Sequence, residues 1–446
     1  MKERISLGFI GLGARGGGLL EFLLLPMEDV DIPAVCDLYE DRREKAAAKV
    51  TEVRGTPCTA YADFRDLLAH PGLDGVIIAT SWQDHVPIAI AAMRRGLYTA
   101  FEVGGAYSLD QCWQLVHTQE ETGVPCMMLE NCCYGRDEMM ALHMARLGVF
   151  GELVHCQGGY EHDLRDEVAL GKENRHYRLD NYSNRNGEIY PTHELGPIAK
   201  LLNIHKGNRL VSLTSMASKA VGLHSWIAAH KSDDADLMGR AFTQGDVVTT
   251  MIRCANGETI LLTHDCTLPR PYSRGGQIQG TKGIWMEDNR SIYIDGRTPV
   301  DPTYWTHRWE SDEAYMKEYE HPLWTAYEEF GLRGGHGGMD YLVLRAFVES
   351  QSFTIAEKAD MMVSHFHEQV IAKGKIGGQA RAMIITSSIE RCIDYYHAVN
   401  QCLANRRSPY KAIIAFSGEK QLDNDQPPVT SAGLNGFSDA AIPKTF

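Results

Sequence analysis

The chain has 446 residues, 44% of them hydrophobic and 23% charged, an ordinary globular composition with length for two or three domains. Its formal net charge of -14 argues against a nucleic-acid partner held by a basic surface, and no apolar run approaches bilayer-spanning length. Met1 to Ile5 passes almost at once into a strand, so no signal peptide is expected. The 11 cysteines lack metal-ligand spacing, so a cytoplasmic protein with free thiols and no bound metal is expected.

Ile5 to Ile10 reads as a strand and is followed by Gly11, Gly13 and Gly16 in the pattern G-x-G-x-x-G, then by an apolar helix containing Leu19, Leu20, Phe22, Leu23 and Leu24. Gly11 permits a tight turn, Gly13 lets the backbone approach a pyrophosphate, and Gly16 lets helix and strand pack closely. A second strand, Ile32 to Cys36, ends in Asp37 at the distance where a carboxylate accepts hydrogen bonds from ribose hydroxyls. That carboxylate repels a 2′-phosphate, so the expected cofactor is NAD rather than NADP. Strands at Gly75 to Thr80, Tyr98 to Glu102 and Val124 to Glu130 alternate with helices such as Val86 to Arg95, the pattern of a parallel, doubly wound sheet. Ligands of such sheets bind at the carboxyl ends of the strands. Trp82, Gln83, Asp84, His85, Glu102, Val103, Glu130 and Asn131 are therefore placed around the cofactor.

A helix near Asp137 to Leu147 leads into a region of different composition. Residues 152–160, 209–220, 246–254 and 258–266 read as strands, which predicts an α+β domain on a mostly antiparallel sheet. Tyr190-Pro191-Thr192-His193 opens a helix running to about Leu202, and Tyr190 and His193, three apart, can face one cleft. The expected organisation is a Rossmann domain over 1–130, a catalytic domain over 131–350 and a tail over 351–446.

The ordered motifs GLGARG, VCD, FEV, EN, GGY, YPTH, PYSRGG, GTKG and GHGGMD resemble the glucose–fructose oxidoreductase and inositol dehydrogenase superfamily. Within it, residues 5 to 350 look like the NAD-dependent alpha-N-acetylgalactosaminidases. The resemblance implies that Arg15, Gly16, Asp37, Trp82 to His85, Glu102, Val103, Asn131 and Arg178 touch NAD. It implies that Tyr160, Tyr190, His193 and Tyr272 line the sugar site, with Glu130 and His336 beside the substrate and Asp340 in support. Sugar dehydrogenases of the superfamily usually carry Glu-Lys-Pro after the fifth strand, where the lysine helps move a hydroxyl proton. Here the triplet is Glu102-Val103-Gly104, which tilts the reading toward the glycosidase branch.

The implied reaction is redox-neutral. The sugar is oxidised at carbon 3, the proton on carbon 2 is removed, the aglycone leaves, water adds, and the ketone is reduced again. His193 is expected to take the carbon 3 hydroxyl proton, since histidine titrates near neutrality. Tyr160 is expected to act as base at carbon 2, its phenol acidified by the cofactor's charge or by Arg178. The competing expectations are a sugar dehydrogenase with net turnover of NAD, and an inactive NAD-binding fusion. A small glycoside or sugar is the expected partner, and an exposed sheet face in the second domain would mark a homodimer.

After Ser350 the resemblance is expected to stop. Residues from about 358 to 446 resemble a fragment of the motor subunit of type I restriction enzymes. Ala382 to Thr386, Ser388 to Asn405 and Tyr410 to Phe416 read as a βαβ piece of RecA-like type. No GxxxxGK[ST] loop accompanies it, so helicase activity is not expected.

Overall fold

The computed structural model describes residues 4–300, 303, 308–329, 334–352, 355–367, 384, 389–421 and 428–441. Two compact units form the chain, Arg4–Val348 on one side and Glu349–Phe446 with Met1–Glu3 on the other. Among the described residues, no helix is long and apolar enough to cross a membrane.

Six strands build the first sheet: β1 (Ile5–Ile10), β2 (Val30–Cys36), β3 (Thr59–Tyr61), β4 (Gly75–Ile78), β5 (Tyr98–Phe101) and β6 (Cys126–Met128). Their order is β3-β2-β1-β4-β5-β6 and every pair is parallel. Leu7, Phe9, Val35, Ile77 and Ala100 are fully buried, as expected of strands covered on both faces. The order reverses between β1 and β4, and a crevice opens there beyond the carboxyl ends. Several strands stop short of their expected ends, β4 at Ile78, β5 at Phe101 and β6 at Met128. Ala79, Thr80 and Glu102, just past these ends, line that crevice, with the Ala79 and Glu102 N–H groups still donating to the Ile10 and Ile78 carbonyls.

The helix after β1 starts as an α-turn over Ala14–Gly18 and continues as a π-helix over Leu19–Leu24, burying Leu19, Leu20, Leu23 and Leu24. The helix expected from Val86 begins earlier and spans Trp82–Arg94, because the buried Trp82 side chain anchors its first turn.

The second sheet has eight strands: β7 (Leu153–Glu161), β8 (Leu210–Ala217), β9 (Val247–Cys254), β10 (Thr259–Asp265), β11 (Gln277–Gly280), β12 (Gly283–Met286), β13 (Ser291–Ile294) and β14 (Glu310–Ser311). They run in the order β14-β13-β12-β11-β7-β10-β9-β8, with β7 and β10 parallel and all other neighbours antiparallel. Val248, Thr250 and Ile252 of β9 alternate with exposed residues, the period of two that made this strand readable. The helices Arg136–Arg146 and Thr192–Leu201 cover the buried face through Met140, Met144, Ile198 and Leu201. The GTKG motif is the tight β11–β12 hairpin, with Gly280 opposite Gly283.

In the other unit, the helices Ile355–His365 and Ile389–Asn405 pack through Ala359, Val363, Val399 and Leu403. The RecA-like βαβ expectation is not supported. Tyr410–Phe416 carries no strand pairing; Ala412 and Ile414 instead donate their backbone N–H groups to the side chains of Asn400 (3.1 Å) and Asn435 (2.9 Å). Two side-chain amides thus replace the neighbouring strand that the segment would need. Of Ala382–Thr386, only Ile384 lies within the described residues.

Candidate active site

A cavity of about 1340 Å³ opens at the reversal point of the first sheet and runs to the buried end of β7. That volume exceeds what a drug-sized ligand fills and suits a dinucleotide together with a sugar. Gly11, Gly13, Arg15, Gly16 and Asp37 line one end, Gln83, Asp84, His85, Glu102, Val103 and Asn131 the middle, and Tyr160, Arg178, Tyr190 and His193 the other.

The glycine turn is shaped for close approach. Gly11 has φ +96°, and a Cβ there would lie 2.5 Å from the Ala79 carbonyl; one on Gly16 would lie 2.0 Å from the Gly11 oxygen. Neither position accepts a side chain without displacing backbone. A Cβ on Gly13 would meet only Arg42, at 3.6 Å, so that backbone is open to the cavity. Asp37 is buried and accepts the N–H groups of Leu12 (2.7 Å) and Tyr39 (2.9 Å), which leaves lone pairs on both oxygens for ribose hydroxyls. In the middle of the cavity, Asn131 Oδ1 and His85 Nδ1 are buried and have no hydrogen-bond partner. This donor and acceptor set fits NAD, which Gly11, Gly13, Gly16, Asp37, His85 and Asn131 would hold.

Arg15 is fixed from two sides. It donates to Glu102 (3.0 Å) and makes a two-pronged pair with Asp340 (2.6 and 2.9 Å). Asp340 also accepts from Asn131 (2.6 Å) and lies 2.7 Å from His336 Nδ1. Burial alone would raise the Asp340 carboxyl, but hydrogen bonds and charge from Arg15 and His336 hold it well below the usual carboxylate range. Nothing in the sequence pattern marked Asp340 as the hub of three side chains, Arg15, Asn131 and His336; the Gly-rich segment before it was the only signal.

At the position of the missing lysine, Val103 is buried and its N–H donates to Glu102 (2.9 Å). Gly104 follows with φ +110°, and its absent Cβ makes room for the Trp82 ring, from which it would lie only 2.0 Å. Trp82 does not line the cavity; it forms a floor beneath Tyr177 and Tyr190, at ring distances of 5.0 and 5.5 Å.

At the sugar end, three rings meet. Tyr160 and Tyr190 stand 4.3 Å apart, and His193 meets both edge-on at 5.3 and 4.9 Å. The Arg178 guanidinium lies over Trp82 (5.3 Å), Tyr190 (5.2 Å) and Tyr160 (5.8 Å), with its Nε 2.9 Å from Glu167. Burial raises the Tyr160 phenol above its ordinary value, and Arg178 opposes the rise without cancelling it. Of the two acidifying influences expected, the cofactor's charge or Arg178, the Arg178 contribution is outweighed by desolvation.

Glu130 does not line the cavity but stands behind His193, its Oε1 2.8 Å from Nδ1. Burial would raise this carboxyl too, but the charge and hydrogen bond of His193 hold it below its usual range. An ionised Glu130 keeps the proton on Nδ1, so Nε2 is left to accept one from a substrate. Tyr272 is half-exposed and lies outside the cavity lining, with its ring 5.1 Å from that of His162. His336 lines the cavity beside Arg15.

Among the described residues, two groups of side chains have metal-ligand proximity, Glu130 with Cys132 and His193, and Glu138 with Glu194 and Glu287. In the first, burial keeps the Cys132 thiol protonated. The second surrounds Arg274, which lies 2.6, 3.4 and 3.2 Å from the three carboxylates and so supplies their counter-charge.

Residues 5–130 match the profile of the oxidoreductase family with NAD-binding Rossmann fold, and residues 134–371 match the C-terminal domain of glycosyl hydrolase 109. The second match runs past Ser350, where the resemblance was expected to end, and neither profile links the tail to a restriction-enzyme motor. A glycosyl hydrolase family 109 protein of Stenotrophomonas maltophilia (strain K279a) is 43% identical over 372 residues, covering 78% of this chain and 80% of the relative. An alpha-N-acetylgalactosaminidase of Tannerella forsythia is 39% identical over 369 residues, covering 78% and 77%. Among solved structures, an oxidoreductase from Pseudomonas syringae aligns with TM-score 0.53 at 16% identity, covering 79% of this chain and 89% of that one. A myo-inositol 2-dehydrogenase from Lactobacillus plantarum aligns with TM-score 0.50 at 14% identity, covering 81% and 98%. At such identities these two share the fold.

Proposed function

Because the chain belongs to the glycosyl hydrolase 109 family, we propose that it hydrolyses glycosides, N-acetylgalactosaminides first among them, with NAD as a resident catalyst. The observation that carries this reading is the sugar end of the cavity. Val103 is buried where a dehydrogenase lysine would stand, while Tyr160, Tyr190 and His193 meet as a cluster around one point. NAD-dependent glycosidases are the recognised exception to the rule of two flanking carboxylates.

Bound NAD would supply one thing, a reversible hydride acceptor for carbon 3 of the sugar. His193 takes the proton of the carbon 3 hydroxyl on Nε2, and Glu130 behind it stabilises the imidazolium. The resulting ketone acidifies the proton on carbon 2. Tyr160 removes that proton as phenolate, its charge favoured by Arg178 and opposed by burial. The electron pair forms the carbon 1–carbon 2 double bond as the aglycone leaves from carbon 1. Water then adds its oxygen to carbon 1 while the proton it loses passes to the departed aglycone. Carbon 2 regains a proton from the Tyr160 hydroxyl after that hydroxyl has exchanged with solvent, and the ketone is reduced with His193 returning the hydroxyl proton. Tyr190, edge-on to His193, holds the sugar against this pair.

The test is an aryl N-acetylgalactosaminide given to the protein as purified, with no NAD added. Release of many equivalents of aglycone per chain without a growing NADH absorbance is the expected result. NADH that accumulates in step with turnover, only when NAD is added, would assign the protein to the dehydrogenases instead.

A further inference from the structure

The bank of the cavity that faces Asp37 comes from a distant part of the chain. Tyr39, Asp41 and Arg42 follow Asp37 at the start of the helix Glu40–Arg54, whereas Asn174 and Arg175 belong to the loop before the helix Arg178–Asn184. Four contacts join the two banks. Arg175 donates twice to the Asp41 carboxylate, at 2.8 and 3.1 Å, and its guanidinium lies 4.5 Å from the Tyr39 ring. Arg42 lies 4.8 Å from the same ring and donates to the Asn174 carbonyl at 3.3 Å. Tyr39, Arg42, Asn174 and Arg175 all line the cavity that Asp37 lines.

We propose that Tyr39, Asp41, Arg42 and Arg175 form a clasp over the adenosine end of NAD that sets how long the cofactor stays. Asp37 marks the ribose end by its chemistry, and planar guanidinium and phenol groups are the surfaces on which a purine stacks. Each contact of the clasp is exposed, so each is weak and screened by salt. Such a clasp slows departure without sealing the site, as a redox-neutral cycle needs: the cofactor is never consumed and gains nothing from rapid exchange. The clasp itself is read from the cofactor site, while the benefit of slow departure rests on the redox-neutral reading, since a dehydrogenase with net turnover must release its cofactor each cycle.

The experiment measures cofactor release from the full chain. The protein is loaded with NADH, diluted into excess NAD, and release is followed by loss of NADH fluorescence. Arg175→Ala and Asp41→Asn are expected to release it about tenfold faster than the parent, equivalent to about 1.4 kcal/mol. The doubly exchanged chain, Asp41→Arg with Arg175→Asp, is expected to recover slow release. Raising salt should speed release from the parent and leave Arg175→Ala unchanged, a response that simple loss of packing would not give. Thermal unfolding of each variant is expected to match the parent, since both side chains are at the surface. Equal release rates in parent and Arg175→Ala, or a parent rate indifferent to salt, would overturn the clasp. Neither result would bear on whether glycosides are hydrolysed.

Discussion

At the pyrophosphate end of the cavity, Gly11, Gly13 and Gly16 shape the site through backbone, and Gly11 and Gly16 exclude any side chain. At the sugar end, the groups come from β7, the helix Arg178–Asn184 and the start of the helix Thr192–Leu201, and they act through side chains, among them two phenols whose ionisation burial opposes. The first end depends on local geometry and tolerates almost no change. The second depends on long-range packing that must hold an arginine, two phenols and a histidine in register. The contrast teaches that cofactor binding and chemistry in this fold can fail separately.

The largest expected separation comes from the sugar end. His193→Ala and Tyr160→Phe should each lower kcat by about 10²–10⁴-fold, the usual worth of general acid–base groups. Bound NAD per chain, read by absorbance after desalting, should stay at the parental level in both. Loss of NAD in either variant would merge the two ends and break the comparison.

Asp340 tests the seam between the ends, since it ties Arg15 from the glycine turn to Asn131 and His336. Asp340→Ala should destabilise the fold by about 2–4 kcal/mol in urea unfolding, below the full cost of breaking a buried pair because Arg15 is partly solvated. The sign with pH follows from its depressed carboxyl. Its stabilisation is complete above the ordinary aspartate value near 4 and is lost as pH falls toward the folded value. Acid unfolding of the variant should therefore be shallower than that of the parent over this range.

A smaller effect lies in the middle of the cavity. Burial pushes His85 down to about 4, with Nε2 donating to the Thr80 carbonyl at 3.1 Å. The unfolded chain takes up a proton near pH 6.5 that the folded chain refuses, so stability falls as pH drops from 6.5 toward 4. His85→Gln should flatten that slope by about 1–3 kcal/mol, read from urea midpoints at pH 7 and pH 5.

Legibility in the sequence followed the same divide. The G-x-G-x-x-G pattern, Asp37 and the apolar strands of the first sheet could be read because their signals are contiguous or of short period. The alternation in β9 and β10 exposed the second sheet in the same way, whereas β11 to β14 are too short to show a period. Tyr190 and His193 were paired by their spacing of three, whereas Tyr160 and Arg178 were reached through motif resemblance, and no spacing along the chain predicts that they converge on that pair. The role of Asp340 and the pairing of Arg175 with Asp41 join residues far apart in sequence, so they appear only once the fold brings them together. Tyr410–Phe416 misled in the opposite direction: an apolar run reads as a strand, but a strand also needs a neighbour, and here two asparagine side chains take that place.

In the proposed reaction the glycosidic bond breaks by proton removal at carbon 2. The decisive experiment is cleavage of an aryl N-acetylgalactosaminide in D2O by the protein as purified, with the released sugar read by NMR. One deuterium at carbon 2 of the product and no net NADH are expected. Release of the aglycone with carbon 2 still fully protonated would contradict that reaction.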